Sequence, residues 1–201
     1  MVAMSKGTAT RQAVLDEAAR VASRVWLGGL TIGSLATATQ LSKSGLFAHF
    51  QSKESLQLQL LEHTRARFIE QVVRPALAAP RGEPRMRELF RRWLAWSTDG
   101  LPGGCLFVAA SAEFDDQPGP VRDRLAQDQR DWLDTVAQVF RTGVAEGHFR
   151  PDADPEQFAY EFHGTLLAYH HASRLLGDPG AIARATRAFE ALLLAARPPA
   201  A

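Results

Sequence analysis

The stretch Leu41–Leu56 reads LSKSGLFAHFQSKESL and repeats a Ser-Lys pair, Ser42-Lys43 and then Ser52-Lys53. Serine suits a helix N-cap, because its side-chain oxygen accepts from backbone N–H groups left open at a helix start. Lysine in the next turn opposes the positive end of the helix dipole. The misfit disappears when a phosphate oxygen sits on the open N–H groups and the lysine pairs with it. Ser42, Ser44 and Gly45 are small enough to bring the front of that helix close to a groove. This pattern is expected to meet a polyanion rather than to perform catalysis.

Other reactive residues form weaker patterns. No Ser-His-Asp order, nucleotide loop or cysteine-metal spacing stands out, so the chain is expected to be no enzyme and to need no cofactor. Cys105 follows Gly103-Gly104 at a helix start, where a thiolate is favoured. It reads either as a sensor of electrophiles or oxidants, or as a packed thiol. His163 and His170 are seven apart and share a helix face, with His171, Glu113, Asp115 and Asp116 elsewhere. No tight ligand pair accompanies them, and no metal site is expected. Pocket polar groups or core histidines are the better readings.

Composition sets the frame. The 201 residues are 46% hydrophobic with one cysteine, which excludes an intrachain disulfide framework and fits a reducing cytoplasm. No 18-residue apolar run suggests a membrane span. The N-terminus MVAMSKGTAT lacks the long apolar core of a secretory signal. Residues 1–55 carry six basic and three acidic side chains, whereas the rest is slightly acidic. A basic head on a mildly acidic body suits nucleic acid.

The positioning elements are all helical. Apolar spacing predicts a helix over Thr10–Trp26, ended by Gly28-Gly29. Thr31 caps a short second helix, Ile32–Thr39, and Gln40-Leu41 turns. Ser42 caps a two-turn third helix to His49 or Phe50, and Ser52 caps a long fourth towards Pro75. Helices follow from Pro84 through Trp96, over Cys105–Phe114, over Val121–Gly147, from the Asp154-Pro155 start to Leu176, and from Asp178-Pro179 to Ala196. No stretch alternates with period two. The expectation is an all-α chain of about nine helices. Its second and third helices form a helix-turn-helix whose second member enters the major groove.

The run TRQAVLDEAARVASRVWLGGLTIGSLATATQLSKSGLFAHFQSKESL resembles, without gaps, the N-terminal domain of the TetR family of bacterial transcriptional regulators. Its most specific part is Leu41–Leu56. The resemblance implies a helix-turn-helix domain over residues 1–55 and a ligand-binding and dimerisation domain over 56–201. It implies phosphate contacts from Thr31, Ser34, His49 and Lys53, and base reading by Ser42, Lys43, Ser44 and Gly45. Phe47 stands where most members have a phosphate-bonding Tyr, which leaves it stacking on sugar or a core role. Trp26 replaces the usual helix-ending Gly. Gln40 replaces a turn Gly, so a left-handed conformation is expected there. Gly33 replaces a residue that is often polar or basic.

For the body, Phe90, Trp93, Leu94, Phe107, Phe114, Trp132, Phe162 and Tyr169, with His163, supply aromatic walls and a polar group suited to a ligand pocket. The same rings would equally fill a core. The segment LPGGCLFVAASAEFDDQPGPVRDRL also resembles the regulatory domain of one TetR subgroup. The family implies a homodimer through the last two helices, here expected to use Leu166, Leu175, Phe189, Leu192 and Leu193. The expected function is a transcriptional repressor released from double-stranded, palindromic operator DNA by a small-molecule effector of unknown identity. An activator of the same fold, or a helical small-molecule binding protein without DNA function, are the alternatives.

Overall fold

The computed structural model describes the backbone of residues 6–199 and side chains from Arg11 to Pro199. Among these residues every regular element is helical, and the segments join into nine helices. They are α1 (Lys6–Val25), α2 (Ile32–Thr39), α3 (Lys43–Phe50), α4 (Lys53–Phe68), α5 (Glu83–Ala95), α6 (Leu106–Phe114), α7 (Pro120–Ala145), α8 (Pro155–Arg174) and α9 (Ala181–Ala196). Helix α4 continues through a π-helical stretch, Ile69–Val73, into the turn Arg74–Leu77. Helix α5 likewise continues as a π-helical stretch, Trp96–Gly100.

By packing, the chain forms two compact units. The first joins the residues up to Arg67 with Gly100–Gln127; the second joins Phe68–Asp99 with the residues from Asp128 on.

In the first unit, α1 buries Val14, Leu15, Ala18, Ala19 and Ala22, one face at helical spacing. Against them lie Leu35 of α2, Leu46 and Phe50 of α3, and Leu56, Leu60 and Leu61 of α4, all fully buried save for trace exposure. The first helix ends earlier than its sequence suggests. It stops at Val25, and Trp26 takes the left-handed position with φ 71°. Gly28 and Gly29 have a different task, which is close approach. A Cβ on Gly28 would lie 2.1 Å from Glu113 Oε1, and one on Gly29 would lie 2.0 Å from the Val25 carbonyl oxygen. Trp26 is 53% exposed and gains little from burial. Trp26→Gly should therefore raise stability by about 1 kcal/mol by relieving the left-handed strain; an unchanged or lower denaturation midpoint would show that the indole packs more firmly than its exposure implies.

The second unit is built on rings. Phe90 of α5 stacks on Phe189 of α9 at 4.2 Å, and Phe140 of α7 packs against Phe149 and Phe158, each at 4.4 Å. Phe162 of α8 is fully buried and meets Phe90, Trp132 and Phe189. Asp154 caps α8 as its sequence predicts, accepting from Glu156 N at 2.9 Å and Gln157 N at 3.1 Å. Gly177 (φ 59°) follows the end of α8. Arg87 binds both Glu83 and Glu190, tying α5 to α9. The Arg197 guanidinium, with Arg87, holds the Glu83 carboxyl below its usual range despite some burial.

Candidate nucleic-acid interface

The three serine and threonine caps are formed. Thr31 and Ser34 make a reciprocal capping box at α2, with both backbone-to-side-chain bonds at 3.0 Å. Ser42 Oγ accepts from Gly45 N at 3.1 Å, and Ser52 Oγ accepts from Ser55 N at 3.0 Å. Gln40 takes the expected left-handed conformation, φ 57°, and ends α2 sharply enough for α3 to begin three residues later.

Helix α3 buries only Leu46 and Phe50. Ser42, Lys43, Ser44, Gly45, Phe47 and His49 are all exposed. One edge of the helix anchors and the rest is presented, as groove entry requires. Phe47 is 54% exposed, which removes the core alternative and leaves its ring on the presented face. Phe50, at the end of α3, is fully buried.

The lysines differ from each other. A Cβ on Gly33 would lie 3.8 Å from Lys43 Cε and 4.0 Å from Lys43 Nζ. Lys43 thus reaches back over the first turn of α2, across the position where the family often carries a polar or basic residue. Glycine at 33 leaves the room it uses. Lys53 donates to the Gly28 carbonyl, and Gln57 Nε2 donates to the Leu27 carbonyl at 3.0 Å. Together they hold the α1–α2 connection on α4. An ammonium has three donors, so this bond leaves Lys53 able to meet a phosphate as well. The scaffolding role gives no signal in the sequence.

On the same unit, Gly103 N donates to Ser23 Oγ at 3.1 Å and Gly28 N donates to Glu113 Oε1 at 2.6 Å. The segment before α6, and α6 itself, are thereby pinned to the end of α1. Cys105 is 2% exposed. A bulky reagent reaches it only if this packing opens, which counts against ready modification.

The aromatic residues named for a pocket fall in both units. Phe107 and Phe114 are in the first; Phe90, Trp93, Leu94, Trp132, Phe162, His163 and Tyr169 are in the second. Within the second, Trp93 approaches Tyr169 at 6.3 Å, and Tyr169 Oη meets Thr98 Oγ1 at 3.0 Å. Burial holds the His163 and His170 imidazoles below their ordinary range. Among the described residues no three His, Cys, Asp or Glu side chains group as a metal site.

Of the residues named for dimer contact, Leu166, Phe189 and Leu193 are buried inside their own chain, whereas Leu175 is 73% exposed and Leu192 half-buried. Besides Leu175, the apolar residues that α8, α9 and their connection present outward are Tyr160, Leu167, Leu176, Ile182 and Leu194. Of these, Leu167 and Leu194 were marked in the sequence as apolar residues off the inward stripe of their helices. No helix among the described residues is long and apolar enough to cross a membrane.

A family model for the tetracyclin repressor-like C-terminal domain matches residues 82–189, more than half of the chain. The chain belongs to the TetR family of transcriptional regulators. The fold agrees with solved structures over nearly its whole length. A TetR-family transcriptional regulator from Cytophaga hutchinsonii superposes with a TM-score of 0.84 at 19% identity, covering 98% of each chain. A TetR transcriptional regulator from Chloroflexus aurantiacus J-10-FL gives 0.82 at 26% identity, over 95% of this chain and 96% of that one. AibR, solved in complex with isovaleryl coenzyme A and operator DNA, gives 0.72 at 23% identity, over 94% of this chain and 98% of AibR. No curated protein sequence matches the chain.

Proposed function

We propose that this TetR-family protein is a homodimeric repressor whose hold on a palindromic operator is released by a small molecule bound in the body. The observation that carries the DNA half is the presentation of α3: two buried anchors, with Ser42, Lys43, Ser44, Gly45, Phe47 and His49 facing out. Thr31, Ser34, His49 and Lys53 are assigned to phosphate, and Ser42, Ser44 and Gly45 to base edges; Lys43, a base reader by the family resemblance, is assigned to phosphate because it lies back over the first turn of α2. Residues 1–55 then read DNA, and residues 56–201 hold the effector and the second copy. Operator DNA and an acyl coenzyme A in the AibR complex support both kinds of partner. Linkage requires operator and effector to weaken each other's binding by the same factor.

Selection of bound genomic fragments, followed by retardation of the enriched duplex with and without small-molecule extracts, tests the reading. Salt-dependent binding to a two-fold symmetric site is expected. A chain that binds no duplex at low salt is not a DNA regulator. The dimer has its own test. Leu194 is 69% exposed on α9. Leu194→Asp should convert the dimer to monomer at micromolar concentration, with a retained helical spectrum, because a charge would be buried without a partner. A variant that still sediments as a dimer would place the interface elsewhere.

A further inference from the structure

The second unit contains buried donors that no described residue satisfies. Trp96 Nε1, Ser97 Oγ and Trp132 Nε1 are buried without a hydrogen-bond partner. Their residues are 5%, 2% and 7% exposed. Folded proteins rarely leave such groups unpaired, since each costs on the order of 1–3 kcal/mol. These are not scattered. The Phe68 ring meets the Trp96 ring edge-on at 5.5 Å and the Trp132 ring edge-on at 5.2 Å. Trp96 and Ser97 are the first two residues of one π-helical stretch, and Phe68 immediately precedes the other. Such π-helical departures concentrate at functional sites. The Trp132 ring also meets Phe162 at 6.2 Å, and the next residue, His163, has an unpartnered buried Nδ1.

We infer that Trp96, Ser97 and Trp132 form the recognition end of the effector site, and that the effector is an uncharged molecule with an aromatic or other apolar body and a lone-pair acceptor such as a carbonyl or ether oxygen. This rests on the reading of the body as an effector domain. Indole N–H groups only donate, so the occupant must bring the lone pairs. The positive ends of these dipoles disfavour a cation. The three donors carry no formal charge, so a carboxylate would be desolvated here without a counter-ion. Phe68 and Phe162 supply ring faces and edges for the apolar part.

The test uses the full-length protein and four probes of one shape, measured by calorimetry: 2-acetylnaphthalene, 2-isopropylnaphthalene, 2-naphthoate and 2-(aminomethyl)naphthalene. The ketone is expected to bind about tenfold tighter than the hydrocarbon, and both charged probes more weakly than the hydrocarbon. Trp96→Phe and Trp132→Phe keep a ring and remove the N–H. Each should cut ketone affinity about fivefold, leave hydrocarbon affinity within about twofold, and leave the unliganded melting temperature nearly unchanged. Equal binding of ketone and hydrocarbon, preference for a charged probe, no ketone binding, or variants that leave the ketone preference intact would each overturn the inference. Salt-dependent duplex binding by the same preparation keeps the two readings apart: if it persists, only the effector class fails; if it is absent, the regulator reading fails.

Discussion

Lys43→Ala is expected to weaken binding to operator and to unrelated duplex alike by about tenfold at low salt, and to flatten the log–log salt dependence by about 0.9. The reason is position. Lys43 is exposed at the first residue of α3 and lies back over the first turn of α2, within reach of the α2 N-terminus at Thr31 and Ser34. A phosphate bound on those N–H groups would have the ammonium beside it. A contact of this kind positions the protein without reading sequence. Lys53→Ala should shift DNA affinity in the same direction, but it also removes the donor to the Gly28 carbonyl. Lys53→Ala should therefore lower stability by about 1 kcal/mol as well, whereas Lys43→Ala should not. Titration at several salt concentrations, beside thermal melts of both variants, separates the two roles. Unchanged affinity of Lys43→Ala at low and high salt would mean that α3 does not face DNA.

The contrast between these lysines marks how far the sequence could be read. Caps are local: a Ser or Thr followed three residues on by a backbone N–H needs nothing distant, so Thr31, Ser42, Ser52 and Asp154 were legible, and with them the helix starts. The left-handed Gln40 was legible only through the family resemblance, which places a glycine at that turn, and its φ of 57° agrees. The end of α1 was not. Two adjacent glycines read as a stop signal, yet their lack of a side chain serves the Glu113 carboxylate and the Val25 carbonyl. Glu113 lies 85 positions from Gly28, and no local pattern encodes such a contact. Lys53 is similar: its sequence context announces a helix start, not a tether to a loop 25 residues earlier.

In the body, periodicity identified which helices are amphipathic but not which apolar stripe stays inside the chain. Helices α8 and α9 each carry apolar residues on two faces. Leu166, Phe189 and Leu193 fill the face turned inward, and Leu167 and Leu194 stand on the other. A helix apolar on two sides gives no local sign of which side the rest of its own chain will cover. The orphan donors were hidden for a related reason. Trp96 and Ser97 sit in a π-helical stretch, where the 3.6-residue register that assigns faces no longer holds.

Gly103→Ala should damage the first unit severely, lowering stability by about 2–4 kcal/mol and the melting temperature by roughly 5–15 °C. A Cβ there would lie 1.5 Å from the Ser23 carbonyl oxygen, 2.2 Å from its carbon and 2.8 Å from Ser23 Cβ. Those atoms belong to the last turns of α1, which cannot yield by a rotamer change. The loop must move away instead, breaking the Gly103 N–H bond to Ser23 Oγ and loosening Leu101, Cys105 and Leu106, all buried behind it. Ser23→Ala is the control. It removes the hydroxyl that accepts from Gly103 and donates to the Arg20 carbonyl, but introduces no clash. It should cost only about 1 kcal/mol. If Gly103→Ala costs no more than Ser23→Ala, the contact is a simple hydrogen bond. If it costs several-fold more and also makes Cys105 reactive towards iodoacetamide, close backbone approach at Gly103 is what closes the thiol against the end of α1.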